Sequence, residues 1–234
     1  MGTVVGGPRF NDPFSMDFDG TNEYLQTVST FNTLDNETQW TLSFWVKPTT
    51  LVSEPLFRLT TGTGTFLAYV RNTGVIDTSY PSQSSYTRST ATLSVGNWAH
   101  VCIRHDGTTG NRYSMHQVWI NGEEGDTSNY FGAANFGTSS SVLTIGWNTT
   151  TTWADYKLNE LAVFIGDVSP LEIYNQNNGK PGDLDKFSTK PTNWWRMGEL
   201  GIWDGDKWTL QDKMGNLNLE SDNMGENNRV LDTP

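Results

Sequence analysis

The chain lacks most of the features that settle a class quickly. It has a single cysteine, Cys102, so no disulfide can form within it. Cys102 sits in an apolar stretch and reads as a small buried strand residue. Basic residues are few: 15 Lys and Arg stand against 26 Asp and Glu, for a net charge of −11. They are scattered and form no stripe, which excludes a nucleic-acid partner, because phosphates need clustered cations. The same acidic balance repels an anionic membrane. No apolar run approaches the roughly 20 residues that cross a bilayer. The stretch from Gly2 to Phe10 has no apolar centre, so no signal peptide is expected.

Charged residues are also scarce, at 18%. Thr, Ser, Asn and Gly are plentiful instead, a composition suited to short strands joined by turns. A chain of 234 residues is long enough for one large β-sandwich that folds without disulfides or metals.

The strand signal is a period of two. Trp40, Leu42, Phe44 and Val46 alternate with Thr41, Ser43, Trp45 and Lys47, and Pro48 ends the run. Phe14 to Phe18 alternates too, and Asp19-Gly20 reads as a hairpin turn into Tyr24 to Val28. Further strands are expected at 56–60, 65–71, 75–80, 87–93, 98–105, 115–121, 142–147 and 157–165. Many short strands with glycine turns between them predict a sandwich. One helix is signalled by Ser169 as N-cap, Pro170 at the first position and Glu172 in the capping-box place, ending near Gly179. After Pro181-Gly182 the texture changes to Gly, Asp and Asn around Trp194, Trp195, Trp203 and Trp208. That tail is expected to have little regular structure. The domain reading is therefore a sandwich over residues 1–180. Residues 181–234 form a Trp-rich extension that packs on the sandwich or on a neighbouring subunit.

Four stretches, in order, carry a family resemblance. They are Phe18 to Leu25, Trp40 to Pro48, Asn97 to Val101 with Val118 to Gly122, and Leu143 to Gly146 with Leu158 to Phe164 and the Pro170 helix. Together they resemble the laminin-G-like, concanavalin A-like (pentraxin-like) jelly-roll family. The implied fold is all-β, an antiparallel two-sheet jelly-roll β-sandwich with one short helix and an irregular Trp-rich C-terminal extension. Thr192 to Gly198 and Asn223-Met224, with Tyr174 to Leu184 before them, resemble the C-terminal ends of marine bacteriophage jelly-roll proteins. That resemblance implies a virion surface component: capsid decoration, fibre or tail. Such a protein is made in the host cytoplasm. Its partners are other virion proteins, further copies of itself, or cell-surface glycans. A cellular carbohydrate-binding module is the second reading, and a glycoside hydrolase of the same fold is the third.

The chemistry-bearing residues point away from catalysis. A glycosidase needs two carboxylates about 5 Å apart for retention. The acidic clusters Glu123-Glu124-Gly125-Asp126 and Glu220-Ser221-Asp222 do not fall on readable strands, and the family's hydrolase motif is not found. His100 and His105 are five apart and so face opposite sides of a strand. His116 has no serine or cysteine nucleophile motif beside it. The family implies one structural Ca²⁺ between opening turn and closing strand, for which Asp17, Asp19, Asn22 and Glu160 offer oxygens. Sugars stack on aromatic rings. Trp147 and Trp153, with Asp155 beyond them, flank one polar loop, and Tyr80 and Tyr86 flank another. Trp194, Trp195, Trp203 and Trp208 are the candidate subunit contacts, since indoles are common interface anchors.

Overall fold

In the computed structural model, which describes residues 10–62, 64–79, 86–107, 116–125, 137–148 and 152–234, the alternating segments become strands. In chain order these are β1 (Ser15–Asp17), β2 (Tyr24–Thr27), β3 (Gln39–Pro48), β4 (Glu54–Thr61), β5 (Gly64–Val70), β6 (Ile76–Ser79), β7 (Tyr86–Arg88) and β8 (Ala99–Asp106). There follow β9 (His116–Ile120), β10 (Glu123–Glu124), β11 (Thr144–Ile145), β12 (Tyr156–Ile165) and the helix α1 (Pro170–Asn175). The last are β13 (Asn193–Trp195), β14 (Gly201–Trp203), β15 (Trp208–Leu210), β16 (Leu219–Asp222) and β17 (Arg229–Val230). Among the described residues they form two antiparallel sheets. The first runs β10-β9-β8-β3-β12-β1-β17, with β13 also pairing β12. The second runs β14-β15-β16-β2-β11-β4-β5-β6-β7. The antiparallel sandwich with one short helix is as expected.

The facing rows of the two sheets make the core. Trp40, Leu42, Phe44 and Val46 of β3 are all buried there. Phe44 meets Phe57 of β4 edge-on at 4.8 Å, and Trp40 meets Phe66 of β5 in the same way at 5.7 Å. Such T-shaped pairs add to the stabilisation from area alone. The other row of β3, Thr41, Ser43 and Trp45, is buried as well. Helix α1 and the tail cover it, closing a second cluster that includes Cys102, Ala162, Phe164, Ile173, Leu184 and Trp194. The helix starts as its sequence predicts, with Ser169 Oγ accepting from the Glu172 N–H.

Three expectations change. The opening turn does not make a hairpin: β1 pairs β12 and β17 in the first sheet, while β2 pairs β11 and β16 in the second. Gly20, at φ +77°, lets the chain cross between sheets, and its N–H donates to Ala154 O at 2.7 Å. Glu123 and Glu124 do lie on a strand, the exposed edge β10. It is reached through Asn121 and Gly122, both at positive φ, the backbone of a two-residue hairpin turn. Glu220 and Asp222 lie on β16.

The third change is the tail, which contributes five strands and extends both sheets. Buried Asp212 organises it. Its two oxygens accept from Asn193 Nδ2 and from the N–H groups of Trp194, Met214, Asn216 and Leu217, at 2.7–3.2 Å. Strands of two to four residues held by one carboxylate leave no period to read in a sequence. Trp195 and Trp208 join the central core and Trp194 the outer cluster, each 2% exposed or less. These three indoles are therefore spent inside the chain and are not subunit contacts. Trp203 is half-buried against Trp208, with ring centroids 5.4 Å apart.

Trp195 tests this integration. Its ring packs near Phe31, and its Nε1–H donates to Leu217 O at 2.7 Å. Trp195→Ala is expected to lower the unfolding free energy by about 3–5 kcal/mol, read from urea denaturation. A loss within about 0.5 kcal/mol, the usual surface value, would show a tail that packs apart from the core.

Candidate functional site

The outer face of the second sheet is the open one. On β2, Leu25 and Thr27 point to the core, so Tyr24 and Gln26 point outward. Beside Tyr24 the sheet continues into Trp147, which bridges Trp153 across the intervening loop. The two indoles stack at 5.7 Å with planes 14° apart. Tyr24 lies 5.2 Å from Trp147 and 6.2 Å from Trp153. All three rings are half-buried, so they are rigidly placed yet keep surface for a ligand.

Polar groups surround the rings. Tyr24 Oη donates to Asp222 Oδ2 at 2.7 Å, and burial with that contact pushes the phenol up to about 12. Asn148 donates its side-chain amide to Tyr69 Oη on β5. Arg71 lies over the Tyr69 ring at 5.5 Å. In the cross-strand row, Glu220, Gln26, Thr144 and Arg58 stand side by side. The site thus offers ring faces, a carboxylate, amides and a guanidinium, the mixture that fixes a polyhydroxylated ligand. The Tyr24/Leu25/Gln26/Thr27 alternation marks Tyr24 as outward-facing, but nothing in the sequence links it to the two indoles.

The other sugar candidates lie elsewhere. Asp155 turns toward the opening turn, where it lines a cavity of ≈ 250 Å³ with Asp17, Asp19 and Lys157. Its N–H donates to Glu54, a carboxylate that burial pushes up. Tyr86 begins the edge strand β7, four strands from β11. Tyr80 falls outside the described residues.

The expected calcium set is also divided. Asp17 pairs with Lys157 at 2.8 Å, Asp19 accepts from the Thr21 N–H, and Asn22 is exposed. Glu160 is on the outer face of the first sheet, bonded to Arg196 Nε at 2.9 Å and to the Trp194 indole. Its acidic neighbours are Asp12 and Glu199, not Asp17 or Asp19. Burial pushes Glu160 up, opposed by Arg196.

Among the described residues, two arrangements bear on catalysis besides the carboxylate group of Asp12, Glu160 and Glu199. Ser43 Oγ and His100 Nε2 are 2.9 Å apart, the spacing of a nucleophile and its base. Both are buried beneath α1, beside a cavity of ≈ 20 Å³, room for a single water. Burial holds the His100 ring down to about 3, too weak a base to take a serine proton at neutral pH. Glu220 and Asp222 share the outer face of β16, two residues apart. Each is engaged, Glu220 by Lys207 at 2.6 Å and Asp222 by Tyr24. Neither arrangement offers a free nucleophile beside the rings.

Residues 19–174 match the family model described as the concanavalin A-like lectin/glucanases superfamily. No curated protein matches the sequence at a significant level. Among solved structures, the chain is similar to an inferred carbohydrate-binding protein from Bacteroides ovatus, at 14% identity and a TM-score of 0.66. That match covers 96% of this chain, which spans 60% of the Bacteroides protein. It is similar to the heptameric SAP-like pentraxin of Limulus polyphemus, at 16% identity and a TM-score of 0.55, over 92% and 98% of the two chains. It is also similar to the CBM40 of the Ruminococcus gnavus IT-sialidase, solved with α2,3-sialyllactose. There the identity is 13% and the TM-score 0.50, over 70% and 96% of the chains. At these identities the likeness is one of fold.

The buried imidazole sets a pH dependence. The charged groups lining its cavity are Glu160 and Lys180, and the stacked neighbour is Tyr174. The folded pKa lies below the ordinary 6.5, so the stabilisation is complete above pH 6.5 and is lost as pH falls from there toward 3. The slope from this one group is about 1.4 kcal/mol per pH unit. His100→Gln is expected to flatten the fall in urea-unfolding free energy over that window. Equal slopes in both proteins would show that the ring is not held neutral.

Proposed function

The chain belongs to the concanavalin A-like lectin/glucanases superfamily, and on that premise we propose that it is a non-catalytic carbohydrate-binding protein. The observation that carries this reading is the Tyr24, Trp147 and Trp153 cluster on the outer face of the second sheet. A pyranose ring laid on an indole buries its C–H face while its hydroxyls meet Asp222, Asn148 and Gln26. The setting in this proposal is the surface of a virus particle. Its support is the likeness of the tail to marine bacteriophage jelly rolls. Immunogold labelling of intact particles tests that setting: label that comes only after disruption argues against it.

Trp153→Ala tests the site itself. The side chain is half-buried, so the variant is expected to fold, checked by near-ultraviolet circular dichroism. On a glycan array and in polysaccharide pull-downs, it should lose about thirtyfold in affinity, the value of an aromatic anchor worth about 2 kcal/mol. Retention equal to that of the wild type would remove this site. New reducing ends released from a retained glycan, and lost in Glu220→Gln, would replace the binding reading with hydrolysis.

A further inference from the structure

This acidic chain gathers guanidiniums at one place on the outer face of the second sheet. Arg58 stands on β4, Arg71 follows β5, and Arg88 ends β7. Buried Asp77 of β6 pairs with Arg71 at 2.8 Å and with Arg88 at 2.7 Å. The Arg58 guanidinium has no hydrogen bond or ion pair among the described residues. Three guanidiniums against one carboxylate leave two positive charges, on a protein of net charge −11. On the reading of this face as a sugar site, we propose that its ligand is an anionic glycan, with a neutral unit on the indoles and a carboxylated or sulfated unit seated on Arg58.

Strand register connects Arg58 to the rings. Arg58 is half-buried and stands opposite Thr144 of β11 and Leu67 of β5. Tyr69, two residues beyond Leu67 on the same face, is its diagonal neighbour, a spacing of about 7 Å. Burial pushes the Tyr69 phenol up, and the Arg71 and Arg58 charges oppose that shift. Tyr69 Oη accepts from the amide of Asn148, the residue after Trp147. Arg58, Tyr69, Asn148 and Trp147 thus form a continuous border from guanidinium to indole. Trp147 lies three residues beyond Thr144, about 10 Å along a strand. A ring on the indole and an acid group on Arg58 therefore fall on adjoining units of one chain.

Charge sets the orientation. A carboxylate or sulfate can take two parallel N–H groups from a guanidinium, and Arg58 has all its donors to offer. At the other flank stand Glu220 and Asp222 of β16, held by Lys207 and Tyr24. An acid group is drawn to the β4 side and repelled from the β16 side, while a neutral unit is tolerated between them. A nucleic acid, charged at every unit, would meet the acidic flank as well.

Affinity electrophoresis of the full chain tests this, in gels holding either member of two polysaccharide pairs. Hyaluronan against its carboxyl-reduced form reads a carboxylate, and κ-carrageenan against its desulfated form reads a sulfate. The acidic member of at least one pair should be retained more strongly. Its retention should fall as salt rises to about 1 M, where the screening length is about 3 Å. Arg58→Gln should lower the ratio of acidic to neutral retention by about tenfold or more. Arg58→Lys keeps the charge without the fork and should recover part of that ratio. Lys190→Gln removes an exposed charge before β13 and should leave the ratio unchanged. Near-ultraviolet circular dichroism checks that each variant is folded. Retention of none of the four, or a ratio that Arg58→Gln does not change, would overturn the proposal. Retention of the neutral members alone, lost in Trp153→Ala, would overturn it and leave the carbohydrate reading standing. Acidic retention that survives Trp153→Ala and is matched by polyglutamate would be charge attraction alone, and would remove both.

Discussion

Strands β3 and β12 pair over most of their ten residues each, and neither has a face left for water. An antiparallel sheet usually keeps one face wet. Here the inner face is taken by the second sheet, and the outer face carries apolar Cys102, Ala162 and Phe164 that need their own cover. Helix α1 and residues 181–234 provide it. That requirement makes the tail part of the fold. It also traps the polar members of the outer row, Ser43, His100, Asn159 and Glu160, which must find partners inside the protein. Ser43 and His100 find each other. Glu160 finds Trp194 and Arg196, both brought by the tail.

The legible part of the sequence was the inward row. Trp40, Leu42, Phe44 and Val46 have the period of a half-buried strand, and the structure puts all four in the core. Nothing in that period says whether Thr41, Ser43 and Trp45 meet water or a second layer, because both outcomes tolerate the same residues. Asp19-Gly20 was readable as a turn but not as a crossing between sheets, since a two-residue turn signal carries no record of which strands pair afterwards. The tail was hardest. Its strands hold by Asp212 and by indoles in the core, and a carboxylate accepting five donors looks from the sequence like any loop aspartate. At the candidate site, Trp147 and Trp153 were legible because rare large aromatics flanking a polar loop stand out. Tyr24 was not, because it reaches them only through the pairing of β2 with β11.

Covering one outer face leaves the other for binding. The second sheet presents Tyr24, Gln26, Arg58, Tyr69, Glu220 and Asp222 outward, with acids toward β16 and cations toward β4 and β5. The division follows from the same two-sided burial: a chain with 35% hydrophobic residues that closes two apolar layers has little left to bury beyond the outer face of the second sheet. That surface is mostly polar, and the aromatic cluster, with Leu67 and the exposed Ile202, is its exception.

The carboxylate cluster and the aromatic cluster therefore lie on opposite sides of the sandwich, separated by two sheets about 10 Å apart. Yet the tail serves both: β13 pairs β12 beside Glu160, and β16 pairs β2 with Asp222 directly opposite Tyr24. The docked tail is what holds Asp222 against the Tyr24 hydroxyl. With three indoles of the tail buried in the sandwich, docking is strongly favoured already. The acidic side of the ring cluster is therefore as persistent as the fold itself.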